Sequence, residues 1–152
     1  MTKNRASFLT MIALSEGTAQ IGDQKGYNVI VGSTKEHPHL FIDYSKHPGV
    51  LVDLGNGLES TASGRYQILE RYYDAYKKSL KLPDFSANSQ DIIALQMLSE
   101  CNCLHLIDEG KITEAIKLAA SRWASLPGAH YDQRTNLIST LLAWYEQAGD
   151  IA

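Results

Sequence analysis

The sequence predicts an α+β protein in which a small antiparallel sheet is set into a mostly helical body. Three observations lead there: apolar residues at helical spacing before residue 16, short β-branched runs between Gly26 and Asp53, and helical spacing again from Ser60 onward. The 152 residues are 44% hydrophobic and 20% charged, enough to bury a core and incompatible with a wholly disordered or fibrous chain. One domain over 1–152 is expected, with a β lobe at about 24–56 and a helical lobe at about 60–150.

Residues 4–15 place Phe8, Met11, Ile12 and Leu14 at near-helical spacing, and Gly17-Thr18 ends the pattern. Glu16 therefore falls at or just past a helix C-terminus, where the dipole disfavours negative charge and favours a protonated carboxyl. Tyr27 to Val31, Leu40 to Ile42 and Val50 to Val52 read as strands, and Leu54-Gly55-Asn56-Gly57-Leu58 as a mobile tip. From 64 to 80, Tyr66, Leu69, Tyr73, Tyr76 and Leu80 recur at helical intervals, so Gly64-Arg65-Tyr66-Gln67 is expected to open a helix that Pro83 ends. Ser86 or Asn88 caps the next helix, with Ile92, Ile93, Leu95, Met97 and Leu98 on it. Shorter helices follow at Leu104 to Glu109, stopped by Gly110, and at Ile112 to Trp123. The last helix is expected from about Gln133 to Ala148, with Leu137, Leu141, Leu142 and Tyr145 inward and Gly149 as its C-cap.

Charge and cysteine usage exclude several classes. Lys and Arg number 14 against 17 Asp and Glu, a net charge of -3, so the basic footprint of a nucleic-acid binder is missing. No run approaches the ~20 apolar residues of a membrane helix. Lys3 and Arg5 before Phe8 to Leu14 imitate a signal peptide, but Ser15-Glu16-Gly17 breaks the stretch, which reads as an ordinary first helix. Cys101 and Cys103 are one residue apart, too close to clasp a useful loop and outside zinc and C-x-x-C patterns, so a reducing compartment is the simpler reading. His37, His39, His47, His105 and His130 form no metal motif, and nucleophile-elbow and phosphate-loop signatures are absent; no metal and no cofactor is expected.

Glu16 is the candidate for chemistry, since burial at a helix C-terminus keeps a carboxyl protonated near neutral pH for general acid work; the competing reading is a solvated helix-end Glu. Tyr66 and Gln67 suit stacking and amide hydrogen bonds to a sugar, or equally a capped helix with Tyr66 in the core. Ser125 to Tyr131 is either a cleft wall or a helix connection.

Several anchors, in order, resemble the phage lambda-type endolysin family of small cell-wall lysozymes acting as lytic transglycosylases. They are Ser15-Glu16-Gly17-Thr18, Gly26-Tyr27-Asn28-Val29-Ile30-Val31-Gly32, and Asp43-Tyr44-Ser45 with His47-Pro48. Ser60-Thr61, Gly64-Arg65-Tyr66-Gln67, Asp84-Phe85-Ser86 and Trp123 to Ala129 ending at Tyr131 continue them over nearly the whole chain. The resemblance implies a lysozyme-like fold with a cleft between its lobes and with the Leu54 and Pro127 to Gln133 regions as lips. It implies Glu16 as catalytic acid and substrate contacts at Tyr44, Ser60, Gly64, Tyr66, Gln67 and Tyr131. The chain departs from the pattern in a longer Ser33 to Leu40 connection, a shorter Thr18 to Gly26 loop, and Asn28 where the family has Asp, so no carboxylate is required there.

The usual glycosidase pairs two carboxyls. Asp23, Asp43, Asp53 and Glu59 are all available, and none has a distinguishing context. The family reading needs no second carboxyl: the muramyl 6-hydroxyl attacks intramolecularly, giving a 1,6-anhydro product. The alternatives are a hydrolytic muramidase using Glu16 with an Asp, and a non-catalytic wall-binding module. The resemblance further implies peptidoglycan strands as partner, a monomer, accumulation in the host cytoplasm, and release to the periplasm through a holin-type pore.

Overall fold

A computed structural model describes residues 1–127 and 136–151. The chain forms two compact units, one of Met1–Glu16 with Ala94–Ala152 and one of Gly17–Ile93. Among the described residues there are six helices and one two-stranded antiparallel sheet: α1 Lys3–Glu16, β1 Val52–Gly55, β2 Leu58–Ser60, α2 Glu70–Leu80, α3 Ala87–Glu100, α4 Leu104–Asp108, α5 Ile112–Ala119 and α6 Ile138–Ile151. The α+β class expected from the sequence is the class observed.

In the first unit α1 packs on α4 and α6, and α5 touches both of those helices. Phe8, Leu9, Met11, Ile12 and Ala13 are all buried, so α1 is enclosed on several sides, beyond the single apolar face its spacing suggested. Each large apolar side chain removed from water contributes about 1.5–3 kcal/mol, which fixes where the helix ends and therefore where Glu16 sits. Arg5 makes a two-pronged pair with Asp108 at 2.9 and 2.7 Å, exposed and screened by water. Two expectations for the last helix are corrected. Gly149 lies inside α6 and does not cap it; a Cβ there would sit in ordinary van der Waals contact with Ser7 Oγ of α1 at 3.5 Å. Leu137, expected inward, is exposed; Leu141 is fully buried. The expected start at Gln133 lies outside the described residues. Cys101 and Cys103 are free, and burial pushes the Cys103 thiol up to about 12.

In the second unit the expected three-stranded sheet is reduced. Tyr27 to Val31 and Leu40 to Ile42 meet only through the isolated bridge Val29–Leu40, with Ile30 bridging to Ser63. The regular ladder lies further on, pairing Val52 with Ser60 and Asp53 with Glu59. Leu54 to Leu58, expected as a mobile tip, is a closed hairpin turn. Asn56 and Gly57 stand at φ 54° and 76°, the positive values a type I′ turn needs at both central positions.

The stretch expected to open the second long helix does not. Residues 63–68 form a loop closed by reciprocal bonds between the Ser63 and Ile68 backbones, at 3.1 and 2.9 Å. Gly64 and Gln67 take φ 85° and 53°, which no helix contains. α2 starts only at Glu70, whose N–H is donated to Thr61 Oγ1 at 3.0 Å, and ends on Lys81 at φ 53° with the Leu82 N–H returning to the Lys77 carbonyl. α3 starts as expected after Ser86, whose Oγ accepts the Ser89 N–H. His47 is buried as a structural residue. Its Nδ1 accepts the Gly49 N–H and its Nε2–H donates to the Ile68 carbonyl, so both nitrogens are satisfied in the neutral form, and burial lowers its pKa.

Candidate active site

Glu16 is the last residue of α1, carried there by a helix that cannot rotate without exposing its core. The residue is half-buried, but its carboxyl lies deep enough that desolvation dominates and pushes it up to about 7. One hydrogen bond opposes the rise: Ser125 Oγ donates to Glu16 Oε1 at 3.0 Å. The Ser125 hydroxyl in turn accepts from Ser15 Oγ at 2.8 Å, and Asn136 Nδ2 donates to Ser15 Oγ at 3.1 Å. The carboxyl therefore holds its proton up to about neutral pH, the condition general acid work needs.

The second unit brings three expected site residues into one loop. Gly64, Tyr66 and Gln67 all lie in residues 63–68, but with different roles. Gln67 is half-buried and its Nε2 donates to the Gly64 carbonyl at 2.9 Å and the Val29 carbonyl at 3.3 Å. Both amide protons are thereby engaged, which leaves Oε1 as the group offered to a ligand, an acceptor for an N–H or O–H.

Tyr66 is corrected. At 1% exposure its ring cannot stack on a sugar, and its hydroxyl donates to Asp91 Oδ1 at 2.6 Å beside that of Tyr27 at 2.9 Å. Gly64 is corrected likewise, from ligand contact to close packing. A Cβ there would lie 2.3 Å from Gln90 Oε1 and 3.1 Å from the Phe85 ring. Gln90, fully buried, accepts the Arg65 N–H and donates to the Tyr27 and Phe85 carbonyls. Thr18, two residues after Glu16, donates to the Arg65 carbonyl at 2.6 Å. The Gly-Thr half of the first motif is thus tied to the Gly-Arg-Tyr-Gln motif within one unit.

Ser60 and Tyr44 lie elsewhere in the same unit. Ser60 accepts the Ala62 N–H and lines a 340 Å³ cavity with Glu59, Glu70 and Arg71. Tyr44 donates to Gln24 Oε1 at 2.5 Å and, with Tyr27, lines an open 330 Å³ cavity. Tyr131 and most of the expected Pro127 to Gln133 lip lie outside the described residues. Sequence reasoning missed Asn136 and the pairing of Ser125 with Glu16, since a Ser in a short connection has no local signal; it missed Gln90 and Asp91 because polar residues early in a helix read as solvated. Among the described residues no cluster of His, Cys, Asp and Glu is arranged to hold a metal ion.

A family model described as endolysin matches residues 6–152. The endolysin of Escherichia phage lambda is 48% identical over 98% of this chain and 93% of its own length. The chain belongs to the endolysin family. The endolysin of Escherichia phage P2 is 44% identical over 98% of this chain and 94% of its own. Among solved structures, bacteriophage lambda lysozyme complexed with a chitohexasaccharide superposes with a TM-score of 0.93 at 47% identity, covering 98% of this chain and 96% of that one. A second lambda lysozyme structure gives 0.88 at 46% identity over the same shares. Fold and family agree with the resemblance drawn from the motifs, and the activity is that of a phage cell-wall-degrading enzyme of lysozyme type.

Proposed function

We propose that this endolysin cleaves the β-1,4 bond between N-acetylmuramic acid and N-acetylglucosamine by lytic transglycosylation, with Glu16 as the one carboxyl acting first as acid and then as base. The observation that supports it best is the seat of Glu16: a desolvated carboxyl with a pKa of about 7 that accepts one hydroxyl donor among the described residues. Protonated Glu16 gives its proton to the glycosidic oxygen as the bond from muramyl C1 breaks. The neighbouring acetamido group steadies the electron-poor C1. The Glu16 carboxylate then takes the proton of the muramyl C6 hydroxyl, whose oxygen bonds to C1 and closes the 1,6-anhydro ring. The tethered hydroxyl replaces a bound water, and its effective concentration is on the order of 10⁵ M or more.

Gln67 Oε1 is the acceptor we assign to the substrate, suited to an acetamido N–H or a ring hydroxyl, with Ser60, Tyr44 and Tyr131 as further contacts. The chitohexasaccharide held by the lambda relative supports a β-1,4-linked N-acetylhexosamine polymer as the substrate class. The monomer leaves the cytoplasm through a pore made by a separate protein and acts on the wall beyond it.

Mass spectrometry of digested wall tests the chemistry. Anhydro-muramyl ends, lighter than hydrolysis products by one water, are expected. Reducing ends alone refute transglycosylation in favour of a hydrolase using Glu16 and an Asp. Wall clearing that survives Glu16→Gln refutes Glu16 as the acid.

A further inference from the structure

The hydrogen bonds leading to Glu16 have a direction, and it is set at their far end. Asn136 Nδ2 donates to the Ser15 carbonyl at 3.2 Å as well as to Ser15 Oγ at 3.1 Å. A carbonyl oxygen only accepts, so the NH₂ end of the amide must be the end facing Ser15. Ser15 Oγ has one proton to give and two acceptors in reach, Ser125 Oγ at 2.8 Å and the Ser125 carbonyl at 3.4 Å, and the closer hydroxyl takes it. Ser125 has one proton in turn, and Glu16 Oε1 takes it at 3.0 Å. The Asn136 N–H donates to the Ser125 carbonyl at 2.9 Å, pinning both ends of the chain to one stretch of backbone. Running the chain backwards would turn the Ser15 proton onto the Ser125 carbonyl, the longer contact at 3.4 Å.

We infer that this directed chain gives the two Glu16 oxygens separate tasks: Oε1 is permanently held as an acceptor, and the proton is carried and delivered by Oε2. Ser15, Ser125 and Asn136 are positioning residues in this scheme, acting on the substrate only through Glu16, and the scheme rests on Glu16 being the acid. A proton on Oε1 leaves two donors, the carboxyl and Ser125, facing each other along one hydrogen bond, so Oε2 is the oxygen that carries it. The chain also polarises link by link toward Oε1, which stabilises the carboxylate and limits the effect of burial. Among the described residues on the elements packed against α1, His105 and Asp108 of α4 and Glu146 and Asp150 of α6 do not contribute to the shift at Glu16.

Infrared difference spectra at pH 5, with Glu16→Gln as the subtracted reference, isolate the carbonyl stretch of protonated Glu16. If Oε1 is the hydrogen-bonded C=O, Ser125→Ala moves that band to higher frequency, Asn136→Ala moves it the same way by less, and Ser125→Thr leaves it in place. An unmoved band in Ser125→Ala puts the proton on Oε1 and overturns the scheme. The alkaline limb of the kcat profile on a soluble glycan gives a second reading. It shifts up by about 0.5–1 pH unit in Ser125→Ala, leaving three- to tenfold more of the plateau rate above the limb. Asn136→Ala adds nothing in that background, because the links act in series; additive shifts overturn the chain. Ser15→Ala cuts the same chain and replaces Ser125→Ala if that variant fails to fold. Activity retained by Glu16→Gln sinks the acid assignment, while the band position still reads the chain.

Discussion

Glu16 and the loop 63–68 solve opposite problems with the same kinds of group. The carboxyl of Glu16 sits where water is scarce and one hydroxyl reaches it, so its two charge states lie close in free energy near pH 7. The loop is held by many bonds at once: Ser63 to Ile68, Arg65 to Gln90 and to Thr18, Tyr66 to Asp91, and Gln67 to two carbonyls. Under the proposed function, the group that gains and loses a proton is met by one hydroxyl among the described residues, whereas the loop is held at many points at once.

Glu16→Gln strikes the first region hardest. Loss of the general acid lowers kcat on a soluble glycan by about 10³-fold or more. The same change stabilises the fold at alkaline pH. A folded pKa of about 7 against 4.5 for a free carboxyl means that the contribution of Glu16 to stability is full below pH 4.5 and is lost as pH rises through 7. Since the residue as a whole is only partly buried, the expected gain at pH 8 is about 1–3 kcal/mol, read from denaturant melts at pH 4 and pH 8. Equal stability of the two proteins at both pH values would remove the claim that Glu16 is strained.

Gly64→Ala tests the over-determined region. The added Cβ meets the buried amide of Gln90 at 2.3 Å at a backbone angle an alanine rarely adopts, so a loss of about 2–4 kcal/mol is expected. A melting temperature unchanged from wild type would show that the loop can rearrange. Tyr66→Phe is milder, removing one hydroxyl from Asp91 while Tyr27 keeps another there. About 1–2 kcal/mol of stability is lost, and kcat falls by less than about tenfold, because Gln67 keeps its own bonds. A larger fall in kcat than in stability would mean that the hydroxyl of Tyr66 matters to the chemistry.

How far the sequence reached can be judged from single residues. α1 was legible because apolar periodicity and the Gly17 stop are local signals, and Glu16 followed from them. The hairpin was legible in principle: Asn56-Gly57 is a type I′ signature, read instead as a mobile tip. The helix expected to begin at Gly64 was out of reach, since Tyr66, Leu69 and Tyr73 do fall at helical spacing. What overrides the pattern is the Gln90 amide, 25 residues away, which accepts the Arg65 N–H and fills the space beside Gly64. Gly149 reads as a helix stop in sequence and lies inside α6 beside Ser7 in the fold.

By itself the sequence determined the α+β class, the family through the order of its motifs, and the one carboxyl at the end of a buried helix. These rest on spacing along the chain, which is what a sequence records. Only the tertiary structure decided that Ser125 and Asn136 serve Glu16, that Tyr66 supports rather than touches, and that Gln67 offers its oxygen. Each of those depends on which donor meets which acceptor across tens of residues, and a hydrogen bond's partner and direction are properties of positions in space.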